Sequence, residues 1–175
     1  GNELPNDLQP ELIATRHYRV TDFPFVFTNG AMAAHVEVDT NTGLIKILHF
    51  WAVEDCGRVL NPQLVDDQIR GGVVQGIGGA LYEECVYDAD GQMQNASMAD
   101  YLVPMAGEMP EITVAHVETF TKTSVLGAKG AGEAGTGGAP AAIMNAVNNA
   151  LSPLNCGIWQ MPMTPERVLK ALGKI

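Results

Sequence analysis

Between Phe25 and Thr40, apolar residues alternate weakly with small and polar ones: Val26, Met32, Val36 and Val38, with His35 among them. Asp39-Thr40-Asn41-Thr42-Gly43 interrupts the pattern. Asp and Asn favour a tight turn there, and Gly43 supplies a positive φ. Alternation resumes from Leu44 to Val53, so the two runs predict a β-hairpin. Further on, Ile112 to Thr119 alternates and is β-branched, which predicts another strand.

The period changes after Asp55. Asn61 suits a helix N-cap and Pro62 its first turn. Val65, Ile69, Val73 and Ile77 then recur every four residues, widened by Val74 and Leu81, and predict a helix to about Glu84. A turn is expected around Asp88-Ala89-Asp90-Gly91. A second helix is expected over Ala139–Leu151, with Pro140 in its first turn. A short third one runs from Pro165 to Leu172, capped by Thr164 and ended by Gly173. Strands and helices alternate irregularly and begin with a hairpin. The expected class is therefore α+β, a mixed sheet with a hairpin packed on two or three helices, rather than a doubly wound parallel sheet. Residues 1–13, polar with Pro5 and Pro10, predict an extended arm or linker, and 14–175 a single domain.

Charge narrows the partners. The 175 residues carry 10 Lys plus Arg against 20 Asp plus Glu, a net charge of −10. Nucleic acid and anionic membrane surfaces both demand a basic face, so neither is expected as a partner. No apolar run approaches the ~20 residues of a membrane span, and the first residues lack a signal-peptide pattern, so a cytoplasmic location is expected. Cys56, Cys85 and Cys156 are widely spaced and odd in number, which predicts reduced thiols packed in the interior rather than a disulfide framework or a zinc knuckle. His17, His35, His49 and His116 show no helical metal-pair spacing.

Two glycine clusters break local rules. The first helix contains Gly71, Gly72, Gly76, Gly78 and Gly79, each costing about 1 kcal/mol in a helix interior relative to Ala. Close backbone packing or an approaching ligand must offset that cost. Gln75 stands among them; its amide either meets a neighbouring carbonyl in the core or points into a cofactor or substrate cavity. In the second cluster, half of residues 127–138 are glycine. Such a loop presents bare N–H groups ahead of a helix start, which suits an anion. Its ionisable residues are Lys129 and Glu133, and Glu133 is either a solvated loop acid or a general base. Gly130, Gly132 and Gly135 spell G-x-G-x-x-G. However, the preceding strand is about ten residues away, the helix is expected only from Ala139, and no acid lies about 20 residues on, all against a dinucleotide fold.

Taken together, Asp55-Cys56-Gly57-Arg58-Val59-Leu60-Asn61-Pro62, Gln75-Gly76-Ile77-Gly78, Lys129-Gly130-Ala131-Gly132-Glu133 and Pro140-Ala141-Ala142-Ile143-Met144-Asn145 resemble the C-terminal part of molybdenum hydroxylase large subunits. These include xanthine oxidases, aldehyde oxidoreductases and carbon monoxide dehydrogenases. The resemblance spans about Ala14 to Leu172. It implies a molybdenum–molybdopterin cofactor, often extended by a cytosine nucleotide, and oxidative hydroxylation of an aldehyde or N-heterocycle with water-derived oxygen. It implies Glu133 as the base that deprotonates the metal-bound hydroxide. It places Gln75, Gly76, Lys129, Gly130, Ala131 and Gly132 at the cofactor, with no direct protein ligand to the metal from this chain. It further implies 2Fe-2S and FAD modules in other segments or subunits, the remainder of the molybdenum subunit as partner, and no turnover by this chain alone. A noncatalytic assembly domain of the same complex and a dehydrogenase nucleotide module are the alternatives.

Overall fold

The computed structural model describes residues 12–19 and 26–175. The predicted arm therefore lies outside the described residues except for Leu12 and Ile13, as does Phe25 at the start of the first predicted strand. Residues 12–19 form no helix or strand, and Leu12, Ile13 and Tyr18 are exposed.

The hairpin forms as the pattern predicts. β1 (Asn29–Val38) and β2 (Ile45–Asp55) pair antiparallel. Gly43 has φ +77°, and Asp39 Oδ1 accepts from the Asn41 amide, so both turn residues act as their chemistry suggests. β3 (Glu111–His116) pairs parallel to β2, giving a three-stranded mixed sheet in the order β1-β2-β3. α1 (Pro62–Leu81) and α2 (Ala134–Leu151) pack on each other and on one face of the sheet, and α3 (Pro165–Ala171) closes the end. Asn61 Oδ1 accepts from the Leu64 amide and Thr164 Oγ1 from the Arg167 amide, as expected of N-caps.

A bulge fixes which side chains enter the core. His35 pairs with His49, but Val36 pairs with Ile47, leaving Leu48 unmatched. The extra residue flips the alternation of β2. Ile45 and Ile47 face the helices before it, and Phe50, Ala52 and Glu54 after it, while Trp51 and Val53 are turned out. Phe50 then meets Ile69, Val73 and Ile77 of α1 and Ile143, Val147 and Leu151 of α2 in a fully buried cluster. The C-terminal segment is tied in by the Met163 amide, which donates to the Ala80 carbonyl at 2.7 Å, and by Asn148, whose side chain bridges the Ile158 N–H and C=O.

Three expectations are corrected. α2 begins at Ala134, five residues before the predicted start, so Pro140 lies inside it and Gly135, Gly137 and Gly138 are helical. The helix thus opens within the G-x-G-x-x-G run, which removes one of the arguments against a dinucleotide fold. The mixed sheet and the long segment between His116 and Ala134 keep the others in force. Gln75 is exposed on α1 rather than buried among apolar side chains. Of the three free cysteines, only Cys56 is fully buried; Cys85 is exposed and Cys156 half-buried.

The helix crossing explains part of the glycine content. A β-carbon on Gly72 would come within 3.0 Å of the Gly135 Cα, and one on Gly76 within 2.5 Å of the Ala139 Cβ. Backbone contact between α1 and α2 therefore offsets the helix cost at these two positions. Gly71 and Gly79 face open space.

Candidate active site

Half of the second glycine cluster is anchored. Gly127 has φ +74°, and its carbonyl accepts from the Arg58 and Thr121 amides. The Lys129 amide donates to the Cys56 carbonyl at 2.7 Å, and Gly57 pairs with Ala128. The Lys129 ammonium enters this junction, 3.0 Å from Asp55 Oδ2 and 2.6 Å from Thr119 Oγ1. The Asp55 carboxylate also accepts from the Gly57 and Thr119 amides and from the Thr119 hydroxyl. The Thr119 hydroxyl bond, reinforced by the amides and Lys129, holds Asp55 well below the usual carboxylate range despite burial. Lys129 is thus a buried strut that pins the loop to the end of β2.

The other half of the cluster is bare. Gly130 and Gly132 have open space where a side chain would stand, and Ala131 is half-buried between them. The carbonyl of Gly132 is held by the Gln68 side-chain amide at 2.7 Å. Glu133 follows as the N-cap of α2. Its carbonyl accepts from the Thr136 and Gly137 amides, while its side chain makes no capping bond and is exposed.

That side chain borders a cleft of about 350 Å³. The cleft lies between the start of β1 (Thr28, Asn29, Gly30), the end of β2 (Glu54) and the first turns of α2 (Glu133, Ala134, Gly137, Gly138, Ala141). Small residues form most of its floor, and Gly137 leaves open space there. Gln75 and Gly76 stand behind α2. The Thr136 hydroxyl lies 3.1 Å from the Gly72 carbonyl oxygen and 3.2 Å from Gln75 Oε1, so Gln75 is linked to the turn that starts at Glu133 without lining the cleft.

Glu54 is the site residue that the sequence pattern missed. It is 2% exposed at the end of β2, and burial pushes its carboxyl group up to about 7, with His116 opposing the shift. Simple alternation from Ile45 and Ile47 would turn Glu54 to solvent, and the bulge at Leu48 turns it inward. Among the described residues, no group of three or more His, Cys, Asp and Glu side chains could hold a metal ion.

A sequence profile of the molybdopterin cofactor-binding domain matches residues 5–110. The chain belongs to the molybdopterin cofactor-binding domain family. Over 171 residues it is 45% identical to the nicotine 6-hydroxylase large subunit of Paenarthrobacter nicotinovorans, covering 98% of this chain and 21% of that one. It is 34% identical to the carbon monoxide dehydrogenase large chain of Afipia carboxidovorans, covering 97% and 21%. The crystal structure of quinoline 2-oxidoreductase from Pseudomonas putida 86 superposes with a TM-score of 0.82 at 43% identity, covering 84% of this chain and 19% of that one. The chain therefore spans about a fifth of the length of these relatives. The α+β architecture is that of the molybdopterin-binding domains of molybdenum hydroxylases. No helix among the described residues is long and apolar enough to cross a membrane.

Proposed function

We propose that this molybdopterin-binding domain supplies one wall of the catalytic centre of a molybdenum hydroxylase, with Glu133 as its general base. The observation that carries the reading is the placement of Glu133. It caps a helix without spending its carboxylate on the cap, and it stands between a side-chain-free loop and an open cleft.

The residues fit the cofactor that the family implies. A bulky anionic pterin needs backbone it can approach closely and N–H donors for its phosphates. Gly130, Ala131 and Gly132 would supply both, from bare backbone just ahead of the positive end of α2. The Gln75 amide, joined to Thr136, would steady that turn, and Lys129 would hold the loop in place from below. When bound, the cofactor supplies the two-electron oxidant and activates water-derived oxygen. This chain's part is to accept the proton. The Glu133 carboxylate takes it from the attacking oxygen, and the neighbouring small residues leave room for a planar substrate.

The substrate class we favour is an N-heteroaromatic ring. The relatives at 45% and 43% identity are named for nicotine and quinoline, and the carbon monoxide enzyme stands at 34%. The cofactor form we favour carries the cytosine nucleotide. Electrons would leave through 2Fe-2S and FAD modules in partner segments, consistent with relatives named as subunits of complexes. The 175-residue chain alone would not turn over, because it spans only about a fifth of the length of its relatives.

Two variants of the complete enzyme separate binding from chemistry. Glu133→Gln should retain molybdenum while losing turnover, and Gly132→Val should lose molybdenum by filling the open side of the loop. Near-normal turnover by Glu133→Gln would overturn the assignment of the base.

A further inference from the structure

We propose that Gln68 is the positioning residue of Glu133: its side-chain amide, bonded to the Gly132 carbonyl, sets the direction in which the Glu133 side chain leaves the backbone. The proposal rests on the Glu133 reading and names what aims that base.

A loop stripped of side chains cannot hold itself. At Gly130 and Gly132 nothing stands within 4 Å of where a β-carbon would be. Glycine turns freely about its backbone bonds, so the peptide plane between Gly132 and Glu133 needs an outside anchor. Among the described residues, one hydrogen bond falls on that plane: Gln68 Nε2 donates to the Gly132 carbonyl at 2.7 Å. The plane on the other side of Glu133 is held by α2 itself, because the Glu133 carbonyl accepts from the Thr136 and Gly137 amides at 3.1 and 3.2 Å. Peptide groups are rigid, so fixing both planes that meet at the Glu133 α-carbon fixes the direction of its Cα–Cβ bond.

The helix crossing keeps Gln68 in register with the loop. Gln68 and Gly72 lie one turn apart on α1, and they meet Gly132 and Thr136, which flank Glu133. Gln68 holds the Gly132 carbonyl, and the Thr136 hydroxyl lies 3.1 Å from the Gly72 carbonyl oxygen. Between these two ties Gly135 rests directly on the Ile69 carbonyl, so α1 cannot slide past the turn. The chemistry of the tie suits a base. A Lys or Arg at position 68 could also donate to the Gly132 carbonyl, but its charge would draw the carboxylate of the next residue into an ion pair. A neutral amide holds the backbone and leaves the carboxylate for the proton it is to accept.

The test uses the complete enzyme, with turnover counted per bound molybdenum. Gln68→Met removes the donor at similar side-chain length. It should lower kcat by about tenfold or more at unchanged KM. The backbone amides of 131–134 should also exchange faster in hydrogen-exchange mass spectrometry. Gln68→His, whose Nε2–H can take the same donor position, should recover most of both. A residue that acts only through Glu133 must lose its effect once that carboxylate is gone. Adding Gln68→Met to Glu133→Gln should therefore leave the rate of enzyme reduction by substrate within about twofold of Glu133→Gln alone. An equal further loss in that background, a wild-type kcat in Gln68→Met, or unchanged exchange over 131–134 overturns the positioning role. Should Gln68→Met not fold, Gln68→Glu keeps the shape, puts an acceptor in place of the donor, and is read in the same way. Near-normal turnover by Glu133→Gln would sink the base assignment alone, because the exchange rates still report whether Gln68 holds the loop.

Discussion

Gly135 of α2 rests on the Ile69 carbonyl of α1, so closely that a β-carbon would be driven into that oxygen and to 2.9 Å from the Val73 amide nitrogen. Both neighbours are helix backbone and cannot swing away. Gly135→Ala should therefore separate the helices that hold Glu133 and Gln75, lowering stability by about 2–4 kcal/mol. Gly79→Ala, with nothing within 4 Å, should instead gain about 0.5–1 kcal/mol from helix propensity. Urea midpoints of the 175-residue chain check both signs.

The Asp55 junction predicts behaviour in acid. Asp55 is held below its ordinary value of 3.8, first of all by the Thr119 hydroxyl. A depressed carboxylate stabilises the fold above its unfolded pKa, and the contribution is lost as pH falls through the folded one. Thr119→Val should raise the Asp55 pKa and cost about 1–2 kcal/mol at neutral pH. The midpoint of acid unfolding, followed by circular dichroism, should move to higher pH. An unchanged midpoint would mean that the junction does not hold the loop.

Lys129 carries the same junction from the other side. Lys129→Met keeps the length of the stem but leaves the Asp55 carboxylate without its cation, at a cost of about 2 kcal/mol. The loop should loosen as well, so the amides of 130–132 should exchange faster with solvent. Hydrogen-exchange mass spectrometry reads this directly; unchanged exchange would show that the loop is held by its backbone bonds alone.

Glu54 predicts the opposite pH dependence. Its folded pKa of about 7 exceeds its ordinary 4.5. The stability it contributes is complete below about 4.5 and is lost as pH rises through 7. Water in the cleft screens part of the full linkage value, leaving a decline of about 1–2 kcal/mol. Glu54→Gln should flatten this slope and leave the chain more stable than wild type at alkaline pH. Urea melts at several pH values measure the slope in each variant.

The sequence made the fold legible where local chemistry and tertiary packing agree. Asp39 to Gly43 form the turn, Asn61 and Thr164 cap their helices, and Ile69, Val73 and Ile77 form the buried stripe. It was less legible where packing overrides propensity. Gly135, Gly137 and Gly138 argue against helix by themselves, yet α2 runs through them because close contact with α1 needs a backbone without side chains. Gln75 looked buried because its neighbours are apolar, but it is exposed and its amide oxygen lies beside the Thr136 hydroxyl at the edge of α2. Glu54 was hidden by a single bulged residue, Leu48, which period-two counting cannot see. Glu133 stands out in the sequence as a candidate because the glycine loop leaves few ionisable groups to choose from.

The central claim is that Glu133 accepts the proton in the chemical step. Anaerobic single-turnover reduction of the fully loaded complete enzyme by substrate isolates that step from binding and product release. The account predicts that Glu133→Gln, with unchanged molybdenum content, is reduced about 100-fold or more slowly than wild type. Reduction within about twofold of the wild-type rate would contradict it.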